Sequence, residues 1–443
     1  MILTRNSFTA LAAFCLFAAQ SPGQVQGITP DEAVAEAANL ITTSGIKGGL
    51  VVHVGCGDGL VTAALRANDS YQVQGLTTDP VAMMATREAI SKTGVYGAVA
   101  VDAWDGKMLP YIENLVNLVV VEDPASVSRE EVLRVLVPHG VAMLRKGDGW
   151  EKIVKPRPAT MDEWTHYAYD SKGNTTSKDL LVGPPKRMQW VGNPRWSRHH
   201  DRMSSVSAMV SSGGRIFYIM DEGSRLSILM PAKFVLVARD AFNGTVLWKK
   251  PISEWSTHLW PLKSGPTQLT KRLVADGENV YVTMGLTAPV SCLDAAPGEV
   301  IREYPQTHGT EEIFFRDGVL YALANPEADR LNREFAVKAQ SDQQRVTTEF
   351  NWDGKPRNLF VIEAASGKTL WQKDDRIAPL TLALDDKRVV YFNGDGITCL
   401  DAKSGETKFA SAPAEKRALY EFNFGPRLVL HKDLILYAGG DGS

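Results

Sequence analysis

VARDAFNGTVLWKK (237–250), SCLDAAPGEVIREY (291–304), FVIEAASGKTLWQK (360–373) and TCLDAKSGETKFAS (398–411) are four copies of one pattern. In each, an apolar strand ends in an acid, alanine follows, and after two variable residues a glycine leads into a second strand. The acids Asp240, Asp294, Glu363 and Asp401 stand 54, 69 and 38 residues apart. Such a turn wants glycine for a left-handed backbone and an acid that accepts from the turn amides. A second element precedes each copy: GGRIFYIMDEG (213–223), DGENVYVTMG (276–285), RDGVLYALAN (316–325) and DDKRVVYFNGDG (385–396). Each is a polar turn followed by an apolar strand with a central Tyr, and HKDLILYAGGDG (431–442) is a fifth.

Paired strands recurring at this spacing predict an all-β propeller over 201–443, since blades of four strands repeat every ~40–50 residues plus insertions. Four turn units and half a fifth predict an incomplete ring, an open arc with an unpaired strand near Tyr437. A four-bladed ring closing near Trp190 is the alternative. The Asp-Ala-x-x-Gly-x-x-x-Trp turn resembles the blades of pyrroloquinoline-quinone (PQQ) dehydrogenase-like propellers and of their cofactor-free relatives in outer-membrane protein assembly, over Pro184–Ser443. The resemblance implies that Trp248 and Trp371 dock one blade on the next, with Tyr304 and Phe409 at the same position in the other repeats. It does not imply the quinone. Active members stack PQQ on a vicinal disulfide above calcium, whereas Cys292 and Cys399 are far apart and no calcium constellation is present.

Working towards the N-terminus, the period changes. Gly49–Val54 is an apolar strand, Gly55-Cys56-Gly57-Asp58-Gly59 a glycine turn, and Leu60–Ala67 a helix pattern. Strands at Tyr71–Leu76, Ala98–Val101, Leu118–Val121 and Val141–Leu144 alternate with helices at Val81–Thr93 and Arg129–Leu136. A first helix follows the Thr29 cap and Pro30. This alternation predicts an α/β Rossmann-like domain over 28–150 whose ligand crevice lies at the carboxyl ends of the strands. VVHVGCGDG (51–59), VDAWDGKMLP (101–110), NLVNLVVVED (114–123) and VLRVLVPHGVAML (132–144) resemble the successive motifs of class I S-adenosylmethionine-dependent methyltransferases, over Lys47–Arg145. The resemblance implies that Gly55, Gly57, Asp58 and Gly59 line the methionine end of the cofactor and that Asp102 meets its adenine. The sequence departs from the pattern at His53, where an acid is usual. It departs again at Thr77, where the ribose-binding acid is usual, and Asp79 is the substitute candidate. The closing strands of that fold are not evident before about Trp150.

The stretch 161–201, nearly all of it in the 151–200 connector, holds Asp162, His166, His199, His200 and Asp201, which suit a metal in type but not in spacing; they are read as surface or pocket-rim groups, so no metal is expected. Arg5 and the apolar run Phe8–Ala19 read as a secretory leader over 1–23, since a bilayer span takes about 20 residues. That places the protein outside the cytoplasm, periplasmic or extracellular, with no transmembrane segment in the mature chain. Cys56, Cys292 and Cys399 are then an odd set, read as buried packing residues. The net charge of −3 argues against a nucleic acid partner. Two function classes follow: a binding or scaffolding protein with a degenerate methyltransferase domain and a propeller for a protein or small-molecule ligand, or a working methyltransferase whose propeller presents the substrate. A PQQ dehydrogenase with its site in further blades is a third. No catalytic residue is assigned.

Overall fold

Thr29 opens the first helix with a reciprocal capping box. Its hydroxyl accepts from the Glu32 N–H and the Glu32 carboxylate accepts from the Thr29 N–H, with Pro30 at the first helical position. From there the computed structural model describes residues 28–184, 188–192, 206–227, 230–256, 267–330, 351–414 and 425–439. The leader 1–23 and the candidate ligands His199, His200 and Asp201 lie outside the described residues.

The α/β domain runs α1 (Pro30–Ser44), β1 (Gly49–Val54), α2 (Leu60–Ala64), β2 (Tyr71–Thr77), α3 (Pro80–Lys92), β3 (Val99–Ala103), β4 (Val116–Val121), α4 (Arg129–Val135), β5 (Leu136–Lys146) and β6 (Gly149–Val154). The sheet order is β3-β2-β1-β4-β5-β6, parallel except for β6. The central strands are buried and apolar except at His53 of β1 and Asn117 of β4, because both faces are covered. Val51, Leu118 and Val120 pack with α1, α2 and α3, while Val52, Val119 and Val121 pack with α4 and Trp104. The chain order reverses between β1 and β4, which places the switch point beside the glycine turn. Two features differ from the sequence reading. Helix α2 stops at Ala64, and the sheet continues through β6 to Val154. A tight Gly147-Asp148 turn folds β6 back on β5 with no helix between them, so strand–helix alternation carries no sign of it.

The C-terminal region forms four antiparallel four-stranded sheets in propeller fashion. The first blade is β7 (Val206–Ser212), β8 (Arg215–Asp221), β9 (Phe234–Asp240) and β10 (Val246–Pro251). The second is β11 (Leu273–Asp276), β12 (Asn279–Thr283), β13 (Val290–Asp294) and β14 (Val300–Tyr304). The third is β15 (Thr310–Arg316), β16 (Val319–Ala324), β17 (Pro356–Glu363) and β18 (Lys368–Arg376). The fourth is β19 (Ala383–Leu384), β20 (Arg388–Phe392), β21 (Ile397–Asp401) and β22 (Thr407–Ala410). A fifth sheet holds β23 (Arg427–His431) and β24 (Leu434–Ala438), which among the described residues pair only with each other.

Blades dock through the repeated turns. Trp248 Nε1 donates to the Ala295 carbonyl of the next blade (3.0 Å), Tyr304 OH to that of Ala364 (2.8 Å) and Trp371 Nε1 to that of Ala402 (3.1 Å). Trp190, from the connector, makes the same bond to Ala241 of the first blade (3.0 Å). Phe409, at the corresponding position of the fourth blade, is 46% exposed.

The connector is a strap across the innermost strands. Ser211 of β7, Ala275 of β11, Leu384 of β19 and Leu430 of β23 donate backbone N–H groups to the carbonyls of Trp164, Thr165, Ser171 and Lys172. The Phe315 N–H of β15 donates to His166 Nε2 (3.2 Å). One strap position thus serves each of five sheets. His166 is therefore a buried structural group and not a rim residue. Its Nε2 accepts, so Nδ1 carries the proton and donates to Thr165 Oγ1 (2.8 Å). Burial, with Lys271 nearby, pushes its pKa down to about 3.

Candidate functional site

The glycine turn leaves β1 with Gly55, Gly57 and Gly59 all at positive φ, +84°, +51° and +85°. The Gly55 N–H reaches the Leu76 carbonyl of β2 (2.9 Å), and Thr86 Oγ1 of α3 donates to the Gly57 carbonyl (2.7 Å). A side chain at Gly59 would run into Thr86 and Ile90 of α3, so this glycine serves helix packing. A Cβ at Gly57 would meet no atom within 4 Å. The backbone of the turn is thus open to a ligand at Gly57. Between the glycines, burial pushes the Cys56 thiol up to about 11, which keeps it protonated and poorly nucleophilic.

The acids around this turn all have partners within the chain. Asp58 Oδ1 accepts from the Leu60 N–H (3.0 Å), and Asp79 Oδ1 caps α3 by accepting from the Val81 N–H (2.8 Å). Thr77 Oγ1 accepts from the Asp79 N–H (3.2 Å). Asp102, at the end of β3, takes Arg87 Nη2 on one oxygen and Gln74 Nε2 on the other, both at 2.7 Å. Asp58, Asp79 and Asp102 thus sit at the ends of three neighbouring strands but share no contact. His53 is only 2% exposed and points beneath α2. Its Nδ1 is 2.8 Å from Thr62 Oγ1, and its Nε2 donates to Glu122 Oε1 (3.2 Å).

Glu122, Arg145 and Glu36 form the part of the site that motif reading missed. Glu122 follows β4 at the switch point, with its Cβ 3.1 Å from where a Gly55 Cβ would lie. Its second oxygen accepts from Arg145 Nε (3.0 Å), and Arg145 Nη2 continues to Glu36 of α1 (2.6 Å). The Arg145 guanidinium stacks 3.9 Å from the Trp150 ring centroid. Burial raises the Glu122 pKa, but the hydrogen bonds and charges of His53 and Arg145 outweigh it and hold the carboxyl below its usual range. The signal available beforehand was its position, an acid directly after the apolar run Leu118–Val121 beside the glycine turn. A chain of four ionisable groups therefore crosses the switch point.

At the opposite, amino edge of the same sheet, the first blade docks. Asn117 Nδ2 donates to the buried Asp240 carboxylate (2.7 Å), Asn243 Nδ2 donates to Asn117 Oδ1 (2.7 Å) and to the Leu115 carbonyl (2.9 Å), and Ser70 Oγ donates to the Leu247 carbonyl (2.6 Å). Burial is the main reason the Asp240 pKa is raised. Gly49 is obligatory here, because any side chain would overlap the Asn117 amide. Clefts of about 440 and 250 Å³ open along this junction and share Pro138, His139, Gly213, Gly214, Arg215 and Phe242.

The family described as outer membrane protein assembly factor BamB, a PQQ-like repeat family, matches residues 232–406. The C-terminal repeats are PQQ-like. Among solved structures, geranyl diphosphate C-methyltransferase from Streptomyces coelicolor is 17% identical, over 26% of this chain and 45% of its own, at a TM-score of 0.24. The [4+2]-cyclase SpnF is 22% identical, over 26% of this chain and 44% of its own, at 0.24. The chain spans about half the length of the solved structures it matches. No curated protein matches it. Strand order and the glycine turn establish the N-terminal domain as a Rossmann-like, methyltransferase-like fold. No helix among the described residues is long and apolar enough to cross a membrane.

Proposed function

We propose that this is an exported two-module protein in which the methyltransferase-like domain is a rigid platform without methyl transfer, and the propeller is the binding surface. The observation that carries this reading is the internal engagement of two acids at the strand-end crevice on both their oxygens: Asp102 by Arg87 and Gln74, Glu122 by His53 and Arg145. A ribose diol or an adenine amino group needs a carboxylate oxygen free to accept, and opening these pairs leaves a partly buried Arg or His unpaired. Asp102 and Glu122 do not fit S-adenosylmethionine as they stand, although the glycine turn does and the exposed Asp79 caps α3 through Oδ1 alone. Export is supported by the leader-like N-terminus and by the similarity of residues 232–406 to an outer membrane protein assembly factor family. The strap and the α/β domain both sit on the face with the β7–β8 and β9–β10 turns, which leaves the opposite face, or the junction clefts, for a partner.

PQQ chemistry is not part of this proposal, because Cys292 and Cys399 are buried in different blades and cannot form the vicinal disulfide. The open space at Gly57 favours one second reading, a working S-adenosylmethionine-dependent methyltransferase. Calorimetric titration with S-adenosylmethionine separates the two. No binding tighter than ~100 μM, about 5.5 kcal/mol, is expected. Tighter binding that disappears in Gly57→Val would establish the second reading instead.

A further inference from the structure

The two clefts at the junction share His139, Gly213, Gly214, Arg215 and Phe242, so they are lobes of one trough between the α/β domain and the first two blades. The larger lobe, about 440 Å³, lies within the range of small-molecule sites, roughly 300–1,000 Å³. Three parts of the chain supply its polar groups: Lys47 and His139 from the α/β domain, Arg215 from the first blade and Glu278 from the β11–β12 turn of the second. The His139 backbone is left-handed (φ +65°), a strained conformation for a residue with a side chain. His139 is exposed, and neither ring nitrogen has a partner among the described residues.

The residues lining this trough depart from the repeat. Phe242 occupies the turn position held by Ala296, Ala365 and Lys403 in the other three copies. The β7–β8 turn is Gly213-Gly214, where the corresponding turns of the next two blades are Gly277-Glu278 and Asp317-Gly318. A Cβ on Gly213 would stand 3.3 Å from Arg215 Nη1, and one on Gly214 would stand 3.5 Å from Phe242 Cε2. The bare turn thus leaves the guanidinium and the ring uncovered. Arg215 Nη1 donates to Glu278 Oε1 (3.0 Å), and its other N–H groups find no acceptor among the described residues. Glu278 Oε2 lies 4.0 Å from Lys47 Nζ, beyond hydrogen-bonding distance.

Building on the propeller as the binding surface, and resting on that reading, we propose that this trough binds a neutral, hydroxyl-rich ligand, a short oligosaccharide. One sugar ring stacks on Phe242, and its hydroxyls bond to Arg215, Glu278 and His139. The charges decide against an ionised ligand. An anion would compete with Glu278 for Arg215, and a cation would compete with Arg215 for Glu278; either leaves one member of the pair unmatched. The Arg157–Glu163 pair (3.3 Å) sets the same constraint in the smaller lobe. A hydroxyl both donates and accepts, so it adds to the spare N–H groups and the spare carboxylate oxygen without opening a pair. The C–H face of a sugar ring carries partial positive charge, which matches the negative face of an aromatic ring.

The test titrates the full chain calorimetrically with neutral trisaccharides of glucose, mannose, galactose, xylose and N-acetylglucosamine, with trigalacturonate and trilysine as charged probes. At least one neutral trisaccharide is expected to bind with a Kd below ~1 mM, and more tightly than either charged probe. Phe242→Ala, which installs the residue that the second and third copies carry there, should weaken that binding about tenfold. His139→Gly should also weaken it, while the thermal midpoint stays level or rises because glycine relieves the left-handed backbone. A purely structural histidine would not separate those two measurements. Binding by none of the neutral trisaccharides, or tighter binding of a charged probe, would overturn the proposal. Unchanged sugar binding in either variant would place the sugar elsewhere and overturn it too, while leaving the propeller as the binding surface. Titration with S-adenosylmethionine is separate and bears only on the role of the α/β domain.

Discussion

Gly57 in the α/β domain and Gly298 in the second blade adopt the same left-handed backbone, φ +51° and +75°, for different reasons. Above Gly57 there is nothing within 4 Å. Above Gly298 the Trp248 ring lies 2.5 Å from where a Cβ would stand, and Gly244 and Gly405 meet Trp190 and Trp371 at 2.5 and 2.7 Å. The propeller glycines are docking floors for an aromatic plate, so turn and tryptophan are one unit repeated from blade to blade. The Gly57 turn bends the backbone and leaves its surface free. A glycine-rich turn is therefore evidence of a ligand only where space above it is empty.

The largest effect should come from the propeller side of that comparison. Gly298→Ala places a methyl group in the Trp248 ring and imposes the left-handed penalty together; a loss of about 4 kcal/mol in urea unfolding is expected. A loss under about 1 kcal/mol would break the docking-floor interpretation. Next comes the junction between the two regions. Asn117→Ala removes the donor to a buried carboxylate and should lower stability by about 3 kcal/mol. Calorimetry should then resolve two transitions where the parent chain gives one.

The strap supplies a third test, through pH. Native His166 excludes a proton that the unfolded chain binds near its ordinary pKa of 6.5. Protons therefore favour the unfolded state below pH 6.5, and stability should decline from there towards about pH 3, with about 3 kcal/mol lost by pH 4. His166→Gln keeps an acceptor for the Phe315 N–H without the titration, and its pH profile should be flatter across that window. The smallest effect is expected at the open glycine. Gly57→Ala should lower stability by only about 1 kcal/mol, because backbone conformation is the sole penalty.

Much of the architecture was legible from residue order. Strand–helix alternation located five of the six sheet strands, and the acid-to-glycine turn with its partner strand located the blades, because both signals are local and periodic. Two things escaped. The β5–β6 hairpin has no intervening helix to mark it. The strap has no period at all, since its form is set by five strand ends that come together only in the folded propeller. His166 was legible as a histidine among aromatics, but its burial follows from the Phe315 N–H above it and not from any neighbour in sequence.

At the strand-end crevice the division is sharper. The sequence by itself determined the glycine turn, the helix cap at Thr29, and the presence of acids at the ends of β2, β3 and β4, because each depends on neighbours a few positions away. Only the tertiary structure decided what those acids do. Glu122 meets His53 across 69 residues and Arg145 meets Glu36 across 109, while Asn117 joins Asp240 across 123. A charged side chain takes whichever partner the fold delivers to it. At this switch point those partners come from the chain itself.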